Sequence, residues 1–250
     1  MWRRPEHLRI VSLLRGMNAS WLLSNTCWFG GGTAVVLTHG EYRLSRDVDF
    51  LCYDSVGYRN LRTMAIRDGA RGFFRGDVEQ VRKPLCDQYG IRMCVSVEGT
   101  PIKVEIIREA RIKLSGAMNE LLGVPVLSTA YLMAGKLLAN ADRAKDPSVG
   151  GRDAIDLGFL VLGAGGELSL EACEMALAAY GVDVRDKLVL ALERLGRPEE
   201  TGRSARTLGM EPADVERAIM ALRHAAHRRW PPAPELDVEQ APGSGECAPG

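Results

Sequence analysis

Residues 25–53 read NTCWFGGGTAVVLTHGEYRLSRDVDFLCY, and this stretch decides the fold. A short apolar run over Thr26–Phe29 predicts a strand, and three glycines follow it. The spacing then predicts a short helix over Thr33–His39, which Gly40 would end, because glycine readily adopts the backbone conformation that closes a helix. A second strand is predicted over Asp47–Tyr53, where apolar and polar residues alternate. The order strand, glycine turn, helix, strand indicates a domain that mixes strands and helices.

Two carboxylates stand together on the second of these strands. Side chains alternate between the two faces of a strand, so Asp47 and Asp49 lie on one side and Val48 and Phe50 on the other. Neighbouring acids repel each other, and carboxylate oxygens are ligands that suit Mg²⁺. A solvated strand face that binds nothing is the alternative, and it is common for so short a pattern. Asp47 and Asp49 are therefore candidate metal ligands.

Glu105 is a candidate third acid. It lies on the polar face of a strand predicted over Ile102–Ile107, which a tight hairpin joins to a strand over Ile91–Val97. If this strand lies beside the carboxylate pair, three acids can hold two Mg²⁺ ions about 4 Å apart, an arrangement that activates an attacking hydroxyl and stabilises a leaving phosphate. The alternative is a surface residue paired with Lys103 or Arg92.

The glycines supply what a phosphate group needs. Gly31 and Gly32 come directly before the helix predicted from Thr33. Glycine allows the backbone to approach a ligand closely, and the free N–H groups of a helix N-terminus favour an anion. A Gly-Gly pair alone is usually only a turn, and the spacing fits neither the P-loop nor the dinucleotide-binding pattern.

The composition indicates a globular protein of the cytoplasm. The 250 residues are 46% hydrophobic and 26% charged, which excludes a wholly disordered chain. No apolar run reaches the roughly 18 residues of a membrane span, and the N-terminus does not resemble a signal peptide. The six cysteines are scattered without a C-x-x-C pair, which favours reduced thiols over a disulfide scaffold or a zinc cluster.

The chain divides into four predicted parts. An N-terminal helix over residues 1–24 leads into an α/β core over 25–123 with a mixed sheet, and a helical domain follows over 124–230. The tail over 231–250 holds five prolines, three glycines, four acids and no Lys or Arg, and this composition predicts disorder. Without the tail the chain has a net charge of +4, too small an excess to indicate a polyanion by itself.

The helical half carries its own charged residues. Predicted helices cover 129–144, 152–163, 169–180, 184–195 and 212–229. Lys136 and Arg143 are seven residues apart and share a helix face, where two cations could hold a triphosphate or only solvate the face. Asp153 and Asp156 are three apart on the next helix; they could orient Lys136 or an acceptor, or only bond an arginine. In the last helix, Arg217, Arg223, Arg228 and Arg229 form either an RNA-backbone patch or a solvated helix end.

Taken in order, these motifs resemble the AbiEii/AbiGii-type nucleotidyltransferases of the DNA polymerase β-like superfamily. The resemblance covers about residues 25–165. Five stretches carry it: Gly31-Gly-Thr-Ala34, Arg43-Leu-Ser-Arg-Asp-Val-Asp-Phe50, Ile102-Lys-Val-Glu-Ile-Ile107, Leu127–Lys136 with Arg143, and Arg152-Asp-Ala-Ile-Asp-Leu157. Their combination in this order is specific, although each motif alone is not.

The resemblance implies an enzyme. It implies Mg²⁺-dependent transfer of a nucleoside monophosphate (NMP) from a nucleoside triphosphate (NTP) to an acceptor hydroxyl, the 3′ end of tRNA in characterised relatives. It also implies the toxin of a toxin–antitoxin pair used in phage defence, with a cognate antitoxin protein as partner. A small-molecule or protein acceptor is the rival enzymatic hypothesis, and a non-catalytic member that binds nucleotide is the rival from another class.

The resemblance also implies roles for individual residues. The expected metal ligands are Asp47, Asp49 and Glu105. The expected catalytic residues add Lys136 and one of Asp153 and Asp156. The expected nucleotide-binding residues are Gly31, Gly32, Thr33, Arg43, Ser45, Lys136 and Arg143.

Overall fold

The computed structural model describes residues 2–231. The tail predicted to be disordered lies outside the described residues, apart from its first residue. Ten α-helices and seven strands are assigned within the described part. None of these helices is both long enough and apolar enough to cross a bilayer.

The first half of the chain builds a mixed sheet with helices. Its helices are α1 (Pro5–Gly16), α2 (Ala19–Ser24), α3 (Gly31–Thr38) and α4 (Ser55–Asp68), the last followed by a 3-10 turn over Gly69–Phe73. Its strands are β1 (Cys27–Gly30), β2 (Val48–Cys52), β3 (Glu79–Cys86), β4 (Gly90–Val97), β5 (Thr100–Arg108), β6 (Gly116–Asn119) and β7 (Val124–Leu127).

The seven strands form one sheet in the order β3-β4-β5-β2-β1-β7-β6. The β2–β5 and β1–β7 pairs are parallel, and the other neighbouring pairs are antiparallel. The sheet is therefore mixed, as the sequence predicts. The parallel pairing matters most for the site, because it places Asp49 opposite Glu105 in the register of β2 and β5.

Alternation along β2 separates the core from the cleft. Val48, Phe50 and Cys52 are fully buried on one face of the sheet, and Phe50 packs on Phe29 with ring centroids 5.5 Å apart. Asp49 lies on the opposite, half-buried face. Burial of the apolar face thus fixes which way the acidic side chain points.

The second half is helical. It contains α5 (Thr129–Arg143), α6 (Arg152–Gly163), α7 (Leu170–Tyr180), α8 (Asp183–Leu195), α9 (Pro198–Leu208) and α10 (Pro212–Arg229), with a 3-10 turn over Pro147–Val149. Helix α6 packs against α5 and α10, and it also contacts α3 beside the sheet. The helical half therefore reaches the first half through α5 and α6.

Most predicted elements are confirmed within a residue or two, including the β4–β5 hairpin and helices α6 and α10. Strands β3, β6 and β7 and helix α9 were not predicted from the sequence. The N-terminal segment predicted as one helix over residues 1–24 contains two helices, α1 and α2, separated at Met17–Asn18. The sheet also extends past the division predicted near Gly123, because β7 pairs with both β1 and β6.

Candidate active site

The glycine turn, formed by Gly31 and Gly32 at the start of α3, lies directly against the carboxylate of Asp49. Strand β1 ends at Gly30, and α3 begins at Gly31, whose φ of +67° lies in the left-handed region that favours glycine. A Cβ atom at Gly31 would stand 2.6 Å from Asp49 Oδ2. Any larger residue would therefore displace the Asp49 side chain, so the turn and the acid form one unit.

The ionised form of Asp49 is unfavourable at this position. Burial raises its pKa to about 6, and the nearby carboxylates of Asp47 and Glu105 add to the rise. An Asp in water has a pKa near 3.9, so ionised Asp49 is costly in this environment. A cation between Asp49 and Asp47 would remove that cost. Asp47 itself is exposed at the edge of the cleft, one residue before β2 begins.

Glu105 lies next to Asp49 on the same sheet face, as predicted, but its carboxylate is engaged elsewhere. Its Oε2 is 3.1 Å from Lys103 Nζ, and its Oε1 is 3.5 Å from Arg92 Nε. Among residues 2–231, His, Cys, Asp and Glu side chains form no group of three that could hold a metal ion. Asp47 and Asp49 both line the cleft, and the metal-binding role of all three acids stays a prediction.

Lys136 is held by both acids of helix α6. Its Nζ is 3.1 Å from Asp153 Oδ1 and 2.5 Å from Asp156 Oδ2, and the side chain is only 8% exposed. These contacts use two of the three N–H donors of an ammonium group. A Cβ at Gly32 would lie 3.5 Å from Lys136 Nζ, so the ammonium faces the glycine turn.

Asp156 is the centre of a buried network. It accepts two hydrogen bonds from the Arg43 guanidinium, at 2.7 and 2.8 Å, and one from the Tyr42 hydroxyl at 2.7 Å. Burial alone would raise the pKa of Asp156, but Arg43 and Lys136 outweigh burial and hold that pKa below its usual value. Tyr42 also stacks on Phe159 of α6, with ring centroids 3.6 Å apart.

Asp153 joins Lys136 to the second cation of α5. Arg143 donates to Asp153 Oδ2 from Nε at 3.0 Å and from Nη2 at 2.7 Å, and its side chain is 39% exposed. Lys136 and Arg143 therefore share a helix face, as predicted from their spacing. Arg43, Lys136 and Arg143 outnumber the two aspartates of α6, so this cluster keeps a net positive charge.

The loop before β2 is fixed by hydroxyls and by a histidine. The Thr33 hydroxyl bonds both the Ser45 hydroxyl, at 2.7 Å, and the Asp47 carbonyl oxygen. The Ser45 N–H donates to His7 Nε2 at 3.2 Å, while His7 Nδ1 lies 2.7 Å from a Glu41 carboxylate oxygen. His7 is fully buried on α1, so the N-terminal helix helps to position the loop.

A cleft of about 280 Å³ lies between the sheet and helix α5. Nine of the predicted residues line it: Gly31, Gly32, Thr33, Arg43, Ser45, Asp47, Asp49, Lys136 and Arg143. Glu105, Asp153 and Asp156 do not line it. The last two act on the cleft through Lys136, Arg43 and Arg143.

The apolar part of the cleft lining was not predicted from the sequence. It consists chiefly of Leu51, Ile107, Leu114 and Leu127, and the cleft is also lined by the buried acid Glu109. Arg111 forms a two-pronged ion pair with Glu109, at 2.7 and 2.9 Å. No motif marks these residues, although the alternation of β2 and β5 does place Leu51 and Ile107 on the cleft face.

The cleft thus combines a glycine turn, two carboxylates and a buried lysine beside a mixed sheet. The family model described as "Nucleotidyl transferase AbiEii toxin, Type IV TA system" matches residues 13–228. The chain therefore belongs to the AbiEii nucleotidyltransferase toxin family of type IV toxin–antitoxin systems. The match confirms the resemblance stated above and extends it across the helical half.

Comparisons with individual proteins are more distant. JHP933 from Helicobacter pylori is 18% identical, with a TM-score of 0.45, over 91% of this chain and 98% of that one. An antigenic nucleotidyltransferase-like protein from Paracoccidioides brasiliensis is 16% identical, with a TM-score of 0.47, over 83% and 95% of the two chains. A comparison with curated proteins gave no match.

Proposed function

We propose that this nucleotidyltransferase moves an NMP from an NTP to the 3′-terminal hydroxyl of tRNA, and that it acts as a toxin in phage defence with a cognate antitoxin. The observation that supports the transfer chemistry is that Asp49 and Lys136 both face the Gly31–Gly32 turn. Carboxylates and a fixed cation thus stand on either side of a backbone that can approach phosphates closely.

The donor triphosphate lies in the cleft with its phosphates at the glycine turn. The first N–H groups of α3 and its helix dipole favour the negative charge there. Lys136 has one N–H left for a phosphate oxygen, and its two carboxylate partners hold the ammonium in position. Arg143, at the more exposed end of the cluster, stabilises the departing pyrophosphate. The apolar side chains of the cleft lining contact the base.

A divalent cation fits the carboxylate pair. Asp47 and Asp49 offer oxygen ligands, and the pKa of Asp49 is raised by its burial and then by repulsion from Asp47 and Glu105, which a cation would relieve. When bound, Mg²⁺ supplies charge neutralisation at the transferred phosphoryl group and lowers the pKa of an attacking hydroxyl. Glu105 would join as a further ligand only after it leaves Lys103 and Arg92.

The acceptor is the part of the proposal that rests on family resemblance. The test is incubation of the purified protein with total tRNA, Mg²⁺ and each α-labelled NTP in turn. We expect label on tRNA with at least one NTP, and no label when EDTA replaces Mg²⁺. Label on the protein or on a small molecule instead of RNA would refute the tRNA acceptor.

The variant Asp49→Asn tests the carboxylate pair without changing side-chain size. We expect transfer to fall by at least 100-fold, in line with the roughly 10²–10³-fold losses seen when one stabilising group is removed from an active site. The matched control is Asp77→Asn, which changes an exposed carboxylate outside the cleft. Near-normal transfer by Asp49→Asn would refute the site.

A further inference from the structure

A second groove opens beside Asp47. It has a volume of about 420 Å³ and shares Arg43, Ser45, Asp47 and Arg152 with the active-site cleft. Three separate segments form its walls: the loop before β2, the residues that lead into α6, and the end of α9. A backbone hydrogen bond from Leu44 N–H to the Leu208 carbonyl oxygen, at 3.2 Å, joins the first and last of these. The groove therefore belongs to the fold itself.

The charge of this groove is one-sided. Four arginines line it, against the single carboxylate of Asp47. One of them, Arg43, is neutralised by Asp156, which leaves Arg46, Arg152 and Arg206 to face solvent or a ligand. The active-site cleft, by contrast, sets Arg43, Lys136, Arg143, Arg111 and Arg152 against Asp47, Asp49, Glu109 and Asp142. The groove is thus the part of the site that favours a polyanion.

These arginines are available for binding. The Arg46 side chain is 68% exposed, and its contact with Glu6 is long, at 3.4 Å. Such an exposed pair is worth at most about 1 kcal/mol, so a phosphate can replace it. Arg206 is exposed, Arg152 is half-buried, and neither takes part in an ion pair within residues 2–231.

The other basic surface is already engaged. Arg223, Arg228 and Arg229 of α10 donate to backbone carbonyl oxygens of Leu192, Gly166 and Leu168. Arg217 pairs with Asp214 on its own helix. The basic helix that the sequence suggested as an RNA patch therefore uses its charges to hold the helical half together, and it lines neither the cleft nor the groove.

We infer that this arginine groove binds the sugar–phosphate backbone of the acceptor RNA next to its 3′ end, while the cleft holds the donor triphosphate. The inference rests on the proposed function. It assigns the two substrates to two cavities that meet at Asp47. Arginine suits this role because its planar guanidinium donates paired hydrogen bonds to phosphate.

The test separates RNA binding from triphosphate binding. The probe is a fluorescein-labelled hairpin RNA with a four-nucleotide single-stranded 3′ end, and binding is followed by fluorescence anisotropy at several salt concentrations. Inorganic tripolyphosphate, measured by calorimetry, reports on the cleft. The variant is Arg46→Gln with Arg206→Gln, and the matched control is Arg59→Gln with Arg62→Gln, two exposed arginines of α4 outside both cavities.

We expect the groove variant to weaken RNA binding at least tenfold and to leave tripolyphosphate affinity unchanged. The slope of log affinity against log salt should fall by about 1.4, since each lost contact with a single strand removes about 0.7. The α4 control should bind RNA like the unmodified protein. Equal RNA affinity in the groove variant, or equal weakening in both double variants, would overturn the inference.

Failure of this inference differs from failure of the proposed function. If Arg46→Gln with Arg206→Gln transfers NMP to tRNA as well as the unmodified protein does, the proposed function is supported and the groove is refuted as an RNA-binding site. Loss of hairpin binding in that variant, in a protein that transfers no NMP to RNA, would keep the groove as an RNA site and remove the function.

Discussion

The substitution Asp156→Asn tests the buried network most directly. Asp156 is completely buried and is bonded to Arg43, Lys136 and the Tyr42 hydroxyl. The amide keeps the size of the side chain but removes its charge. Two buried cations then lose their shared counterion, and the amide N–H₂ group must face a donor because an amide has only one acceptor oxygen.

The expected loss is large. Breaking a buried ion pair by removing one partner costs about 3–5 kcal/mol, which is a sizeable part of the roughly 5–15 kcal/mol that stabilises a whole domain. With a urea m-value of about 2–3 kcal/mol per M, the unfolding midpoint should fall by about 1–2.5 M. Asp153→Asn should cost less, because its partner Arg143 is 39% exposed and can be solvated again.

The assay is urea unfolding followed by circular dichroism, with Asp77→Asn as the surface control, expected within about 0.5 kcal/mol of the unmodified protein. The pH dependence adds a second check. The pKa of Asp156 is lower in the folded protein than in the unfolded chain. Its ionised carboxylate therefore stabilises the fold fully above the unfolded pKa, and that stabilisation is lost as the pH falls through the folded pKa. The difference between variant and unmodified protein should therefore stay constant from about pH 5 to pH 8. A midpoint for Asp156→Asn equal to that of Asp77→Asn would refute the reasoning.

Three further predictions follow from the site. Without divalent cations, Asp49→Asn should raise the melting temperature at pH 8. The pKa of Asp49 in the folded protein is raised to about 6, so the stabilising protonated form is lost as the pH rises through that value, whereas asparagine stays neutral. An unchanged melting temperature in EDTA would contradict this. Gly32→Ala should abolish transfer and cost about 1–3 kcal/mol in urea unfolding, because its methyl group would clash with the buried guanidinium of Arg43. The control Gly202→Ala, on α9, should be stabilising. His7→Leu should raise the KM for NTP, because the Ser45 N–H loses its acceptor and the loop before β2 loosens. His7→Gln keeps an acceptor for that N–H, so its KM should lie between those of His7→Leu and the unmodified protein. Equal KM values in steady-state kinetics would show that the hydrogen bond is dispensable.

The parts of the fold that the sequence predicts well are those with a strong local pattern. The apolar alternation of β2 and β5 gives both their existence and the facing of Asp49 and Glu105. Strand β3 escaped prediction because most of its residues are exposed and one is proline, and β7 because four consecutive buried residues carry no alternation. Helix α9 escaped because its polar sequence has few apolar positions at helical spacing.

The residues of the site were likewise predictable only where a local sequence pattern marks them. Motif and spacing indicate Lys136, Arg143 and the two α6 aspartates, but not which partners they choose. The Arg43–Asp156 pair joins residues 113 positions apart, the Tyr42–Asp156 pair 114 and the His7–Ser45 pair 38. The packing of α6 and α1 against the loop before β2 determines these pairings. The sequence alone leaves open whether Asp153 and Asp156 orient Lys136 or an acceptor, or only bond an arginine. In the structure each aspartate contacts Lys136 and one arginine.

The position of α6 has a consequence for protein synthesis. The cation cluster at the glycine turn needs Asp153 and Asp156, which come more than a hundred residues after Gly32 in the chain. A nascent chain that has emerged from the ribosome only as far as α5 holds Lys136 and Arg43 without their counterions. Such a chain cannot hold the Lys136 ammonium at the glycine turn. The cation cluster is therefore assembled only after translation has passed α6.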